Sequence, residues 1–129
     1  MMKRTTVLIA DHHHNLRKNI REFFHRLPNY EVIGELENGE ELERKIRELQ
    51  PDLLIVDIEL PVMNGIEVAR RVRREGLSTH VFVTTMFEDP IYSAQALEAG
   101  ARGVITKSQL KLDLDSKFKV HGIVLGRQQ

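Results

Sequence analysis

The sequence predicts an α/β fold, a doubly wound five-stranded parallel sheet with helices on both faces. Three observations predict it. Short apolar runs occur five times, and the most continuous of them read as strands buried on both faces. Segments with apolar residues at helical spacing lie between successive runs. The connections are short, and alternation of this kind calls for parallel pairing with covering helices.

Thr6 to Ala10 (TVLIA) is the first strand, and it ends abruptly at Asp11. Leu16, Ile20, Phe23, Phe24 and Leu27 then recur at helical spacing, and Pro28 with Asn29 stops that helix. Tyr30 to Leu36 is a weaker strand interrupted by Gly34, which predicts a place nearer the sheet edge. A second helix opens near Asn38 and Gly39, buries Leu42, Ile46 and Leu49, and closes before Pro51. Asp52 to Asp57 (DLLIVD) is the most apolar strand and therefore central. After a turn at Pro61, Asn64 and Gly65, a third helix turns Ile66, Ala69 and Val72 inward and stops at Gly76. His80 to Thr85 is the fourth strand, and Asp89 followed by Pro90 caps a helix that runs to Gly100. Gly103 to Thr106 is the fifth strand.

The last stretch breaks the pattern. A fifth covering helix is due after Lys107, yet LKLDLD and VHGIVLG read as alternating or β-prone. The best helical register there, Leu110, Leu114 and Phe118, is short. The expected organisation is a core over residues 1–107 and a C-terminal segment over 108–129, either a degenerate fifth helix or an irregular tail.

Composition narrows the function classes. A chain of 129 residues with 41% hydrophobic and 29% charged residues fits one globular domain with a modest core. Nineteen basic residues balance nineteen acidic ones, so the chain lacks the field of a stand-alone nucleic-acid binder. The absence of cysteine excludes a disulfide framework and thiolate metal sites, and it suits a reducing cytoplasm. No apolar run approaches the roughly 20 residues that cross a bilayer, and the start leads into a strand, unlike a signal peptide. The charged run from Glu35 to Glu48 reads as the solvated face of a helix.

In a parallel sheet of this kind, functional groups gather outside the carboxyl ends of the strands. Asp11 ends the first strand, Asp57 the third and Thr85 the fourth, while Lys107 follows the fifth. Two carboxylates, a hydroxyl and an ammonium would converge on one edge. A carboxylate accepts a phosphoryl group when a divalent cation and a lysine neutralise the incoming charge. Plainer readings stand beside this one. Asp57 could cap a turn, Asp11 a helix, Lys107 could be surface charge, and Thr84 rivals Thr85.

The strings VLIADHHHNLR, PDLLIVDIELPVMNGIEVARRVR and VFVTTMFEDPIYSAQALEAGARGVITK resemble the receiver domain of two-component response regulators, in particular the helix-turn-helix (LuxR/FixJ-type) branch. The resemblance covers Thr6 to Lys107, and its intervals are specific: 28 residues from Asp57 to Thr85 (85 − 57) and 22 from Thr85 to Lys107 (107 − 85). It implies a flavodoxin-like sheet in strand order 2-1-3-4-5. It implies that Asp57 is the phosphoacceptor, Thr85 the switch hydroxyl and Lys107 the phosphoryl contact. Asp11, Asp57 and the backbone carbonyl of Glu59 would be magnesium ligands. The implied partners are a sensor histidine kinase and a downstream output protein or DNA-binding domain, with a homodimer left open. The expectation is a cytoplasmic, non-enzymatic switch with no direct nucleic-acid or membrane contact by this chain.

Two positions depart from the family pattern. His12 stands where a second acidic residue is normal, and an imidazole is a poor ligand for magnesium. Weak magnesium binding and slow phosphorylation, or none, follow, unless the Glu59 side chain restores an oxygen ligand. His12 could instead favour manganese or zinc. Val104 stands where an aromatic residue usually relays the switch, which puts the usual output face in doubt. Both departures favour a rival function, a pseudo-receiver that signals by protein contact without phosphorylation. A small aspartate-nucleophile phosphatase would want an aspartate where Glu59 stands, and a flavin site would want glycines or hydroxyls between Asp11 and Asn15. A stand-alone receiver, a piece of a longer protein and a degenerate product all remain open.

Overall fold

The computed structural model describes residues 3–119. Strands β1 (Thr5–Ala10), β2 (Tyr30–Leu36), β3 (Leu53–Asp57), β4 (His80–Thr85) and β5 (Gly103–Thr106) alternate with helices α1 (His14–His25), α2 (Leu42–Leu49), α3 (Gly65–Arg74) and α4 (Pro90–Ala99). All strand pairs are parallel, in the order β2-β1-β3-β4-β5. This is the predicted flavodoxin-like sheet. β3 is buried at every residue, as its unbroken apolar run requires.

Local chemistry places the ends of the elements. Asn64 caps α3 by accepting from the Glu67 N–H at 2.9 Å, and Asp89 caps α4 by accepting from the Ile91 N–H at 2.9 Å. α4 ends at Gly100, whose φ of +112° only glycine adopts cheaply. On the edge strand, Gly34 lies where the β1–β2 register slips by one residue, and a Cβ there would meet Leu8 Cδ1 at 3.0 Å.

One inward assignment changes, and another lies at the margin of the core. Leu49 is 38% exposed, because it lies over the glycine of the edge strand, where the sheet offers little cover. α3 buries Gly65, Val68, Ala69 and Val72, leaving Ile66 half-buried. Gly65, Val68, Ala69 and Val72 form an i, i+3, i+4, i+7 inward face, and Ile66 packs against the same core at its margin.

Side chains alternate along each strand, so the sheet separates two cores. Leu8, Ala10, Leu54, Val56, Val81 and Val83 face the side of α2, α3 and α4. Val7, Ile9, Leu53, Ile55, Phe82 and Ile105 face α1 and the segment after β5. That segment is helical: a 3₁₀ turn (Lys107–Gln109), helix α5 (Leu110–Leu114) and a wider π-helical turn (Asp115–Lys119). Leu114 and Phe118 are fully buried and Leu110 packs against the same cluster, so the short register is the one that reaches the core. The reading of VHGIVLG falls on 120–129, outside the described residues. No helix among the described residues is long and apolar enough to cross a membrane.

Candidate functional site

β1 stops at Ala10 and β3 at Asp57, neighbours in the sheet, so Asp11 and Asp57 stand side by side at its carboxyl edge. They are 1% and 2% exposed. Lys107, following β5, reaches back over the edge with a side chain only 2% exposed. Its Nζ lies 3.0 Å from Asp11 Oδ2 and 3.1 Å from Asp57 Oδ2. Burying two carboxylates beside one ammonium leaves an excess negative charge in poor solvent, an arrangement that stability alone does not favour.

Backbone groups fix the carboxylates. Asp57 Oδ1 accepts from the Glu59 N–H at 2.9 Å, and Asp11 Oδ1 from the His13 N–H at 2.7 Å. Arg17 donates to the Asp11 carbonyl at 2.7 Å, tying α1 to the end of β1. The Thr106 N–H donates to Asp113 Oδ2 at 2.8 Å, which anchors α5 behind Lys107. Gly65 lets α3 begin directly against β3: a Cβ there would lie 3.1 Å from the Asp57 carbonyl oxygen.

The histidines complete the cluster. His12 Nδ1 is 2.6 Å from Asp57 Oδ2. His13 Nδ1 lies 3.0 Å from Lys107 Nζ and 3.4 Å from Asp11 Oδ1. Sequence reasoning singled out His12 and passed over His13. The available signal was its position two residues after Asp11, where an Asx turn brings the backbone, and with it the side chain, back over the strand end.

Of the other expected residues, Thr85 is buried, but its hydroxyl donates to the Phe87 carbonyl at 3.3 Å and makes no hydrogen bond to Asp57. Thr84 pairs with Asp57 in the sheet register, and its hydroxyl is buried without a hydrogen-bond partner. Glu59 exposes its side chain along an open groove also lined by Asn64, Arg70 and Tyr92, outside the carboxylate cluster.

The donor set fits magnesium poorly. Two buried carboxylates are hard oxygen ligands, but the third side-chain position offers an imidazole nitrogen where an octahedral magnesium shell wants oxygen.

A parallel sheet in this order, with two carboxylates and a lysine converging at its carboxyl edge, defines a doubly wound domain of the signal-receiver class. Residues 7–119 match the response regulator receiver domain family, and the chain belongs to it. It is 35% identical over 116 residues to the uncharacterized transcriptional regulatory protein YhcZ of Bacillus subtilis, covering 90% of this chain and 54% of that protein. It is 32% identical over 109 residues to the nitrate/nitrite response regulator protein NarL of Escherichia coli K12, covering 84% and 50%. The chain thus spans about half the length of these curated relatives. Among solved structures, a LuxR-family two-component response regulator from Aurantimonas sp. SI85-9A1 superposes with a TM-score of 0.82 at 29% identity, covering 92% of this chain and 85% of that one.

Proposed function

We propose that the chain is a phosphoacceptor switch of a two-component system, taking a phosphoryl group from a sensor histidine kinase onto Asp57. The observation that carries this reading is the buried Lys107 ammonium, held within 3.0 to 3.1 Å of both strand-end carboxylates. Asp57 Oδ1 is engaged by the Glu59 N–H, so Oδ2 is the reacting oxygen. Oδ2 attacks phosphorus, the O–P bond forms as the donor's P–N bond breaks, and the electron pair returns to the donor imidazole, which takes a proton from solvent. Lys107 offsets the charge that arrives. The Thr85 hydroxyl, weakly held at 3.3 Å by Phe87, leaves that carbonyl for a phosphoryl oxygen. Asp11, Asp57 and the Glu59 carbonyl would hold magnesium, weakly, and the ion would supply further charge neutralisation. The output is a downstream protein or a DNA-binding domain, in a cytoplasmic setting, with a homodimer as one form of that output.

The test is exposure to acetyl phosphate or beryllofluoride with magnesium, read by intact mass and chemical-shift change. A response abolished by Asp57→Asn supports the switch. One contact favours a second reading: His12 Nδ1 lies 2.6 Å from the reacting oxygen and covers it. A folded protein that gives no response is a pseudo-receiver that acts by protein contact.

A further inference from the structure

The corner that fits magnesium poorly holds a donor set suited to another cation. One ligand atom from each of Asp11, His12, His13 and Asp57 lies within 4.8 Å of all the others. We propose that these four side chains form a site for a borderline divalent transition ion, zinc above all, and that this ion is the tightly bound occupant of the acidic corner. The proposal rests on the receiver reading only in sharing Asp11 and Asp57 with it; it concerns which cation they hold.

Ligand chemistry is the first argument. Two carboxylates with two neutral imidazoles match the nitrogen and oxygen preferences of zinc and its neighbours, whereas magnesium selects oxygen alone. Geometry is the second. Zinc bonds of about 2.0–2.2 Å set ligand atoms about 3.3–3.6 Å apart in a tetrahedron. His13 Nδ1 is already 3.4 Å from Asp11 Oδ1, while the separations to Asp57 Oδ2 are 2.6 Å from His12 and 3.9 Å from His13. Sub-ångström adjustments on either side of the tetrahedral edge therefore admit the ion.

The third argument is that the position already stabilises positive charge. Lys107 Nζ touches Asp11 Oδ2, Asp57 Oδ2 and His13 Nδ1 at 3.0 to 3.1 Å. The two carboxylate oxygens are buried and, beyond these ion pairs, accept no well-directed hydrogen bond. Lys107 offsets one of the two carboxylate charges, a divalent ion takes the cluster from −1 to +1, and neutral imidazoles add nothing. Access is the fourth. The carboxylates are buried, but the His12 and His13 side chains are 34% and 41% exposed, so an ion enters from the solvent side, past the rings.

The experiment is calorimetric titration of the whole chain with zinc chloride and, separately, magnesium chloride at neutral pH. His14→Ala is the control, because the His14 ring sits 3.2 Å from Arg17, outside the cluster. Zinc should bind at least ~100-fold more tightly than magnesium, and His12→Ala and His13→Ala should each weaken zinc at least ~10-fold. His12→Asp, which puts an oxygen ligand in place of the imidazole, should narrow the preference by strengthening magnesium. Zinc no tighter than magnesium, or zinc binding indifferent to both alanine variants, overturns the proposal. Cobalt(II) gives a second reading: visible bands of a four-coordinate ion in the parent, lost in both variants, support the site, and their absence from the parent overturns it. The acetyl phosphate test separates the two hypotheses. Its failure removes the phosphoacceptor switch and leaves zinc binding standing, while loss of zinc binding with intact phosphorylation does the reverse.

Discussion

The two faces of the sheet are filled with different materials. On the α1 and α5 side, Phe24, Tyr30, Phe82 and Phe118 form one aromatic cluster, with ring centroids 5.0 to 6.1 Å apart. On the other side the filling is aliphatic, Leu, Ile, Val and Ala, and α4 contributes only Ala96 and Ala99 to the buried layer. Large rings from distant parts of the chain lock the first face, and each supplies much of its volume. On α4 only small residues reach the buried layer of the second face, so a larger side chain there has to displace its neighbours. One face should fail by losing atoms, the other by gaining them.

The largest expected effect is on the aromatic side. Phe118→Ala removes the ring that touches Phe24, Tyr30 and Phe82, and it should cost about 3–5 kcal/mol in urea unfolding. A cost near zero would mean that the segment after β5 is not part of the core. Next comes Ala96→Leu, an overpacking change at a fully buried position, expected to cost about 1–3 kcal/mol. If leucine stabilises instead, the tight aliphatic face is wrong. Asn64→Ala removes the α3 cap and should cost about 1 kcal/mol, through the helix end and with no change in either core.

The smallest effect is a pH dependence at the start of β4. Burial, helped by the Arg102 guanidinium and opposed by Asp52, holds the His80 imidazole below its ordinary pKa. The unfolded chain therefore binds the proton more readily than the folded one. This contribution is intact above the unfolded value of about 6.5 and is lost as pH falls from there through the folded value. His80→Gln should flatten that part of the profile, and a parallel decline in parent and variant would assign the acid sensitivity elsewhere.

Much of this architecture was legible because strands and most helix ends carry local chemistry. Tyr30–Leu36, His80–Thr85 and Gly103–Thr106 have the ends that the sequence predicts, and Asp89 with Gly100 frames α4 as read. The fifth helix was only half legible, its register Leu110, Leu114 and Phe118 readable but its choice over an irregular tail not, for a physical reason. In LKLDLD, Leu110 and Leu114 face inward while Leu112 is 66% exposed, so alternating apolar residues mimic a strand and only packing against Phe24 and Phe82 decides. Leu49 misled in the opposite sense, since periodicity says which way a side chain points and not whether anything covers it. At the candidate site, Asp11, Asp57 and Lys107 were readable as strand-end residues. His13 was not, because its place depends on a turn closed by the Asp11 side chain, a contact with no periodic signature.

Phe118 also sets a schedule for synthesis. The ring lies 94 residues beyond Phe24 (118 − 24), its partner across the aromatic face. At about 5–20 residues per second, roughly 5–19 s separate the emergence of the two. Late in that interval, once Leu53 and Ile55 have followed Val7 and Ile9, these side chains can be covered by α1 but not by the last turns. The nascent chain thus carries a half-dressed hydrophobic sheet on the ribosome, a window in which chaperones and proteases compete for it.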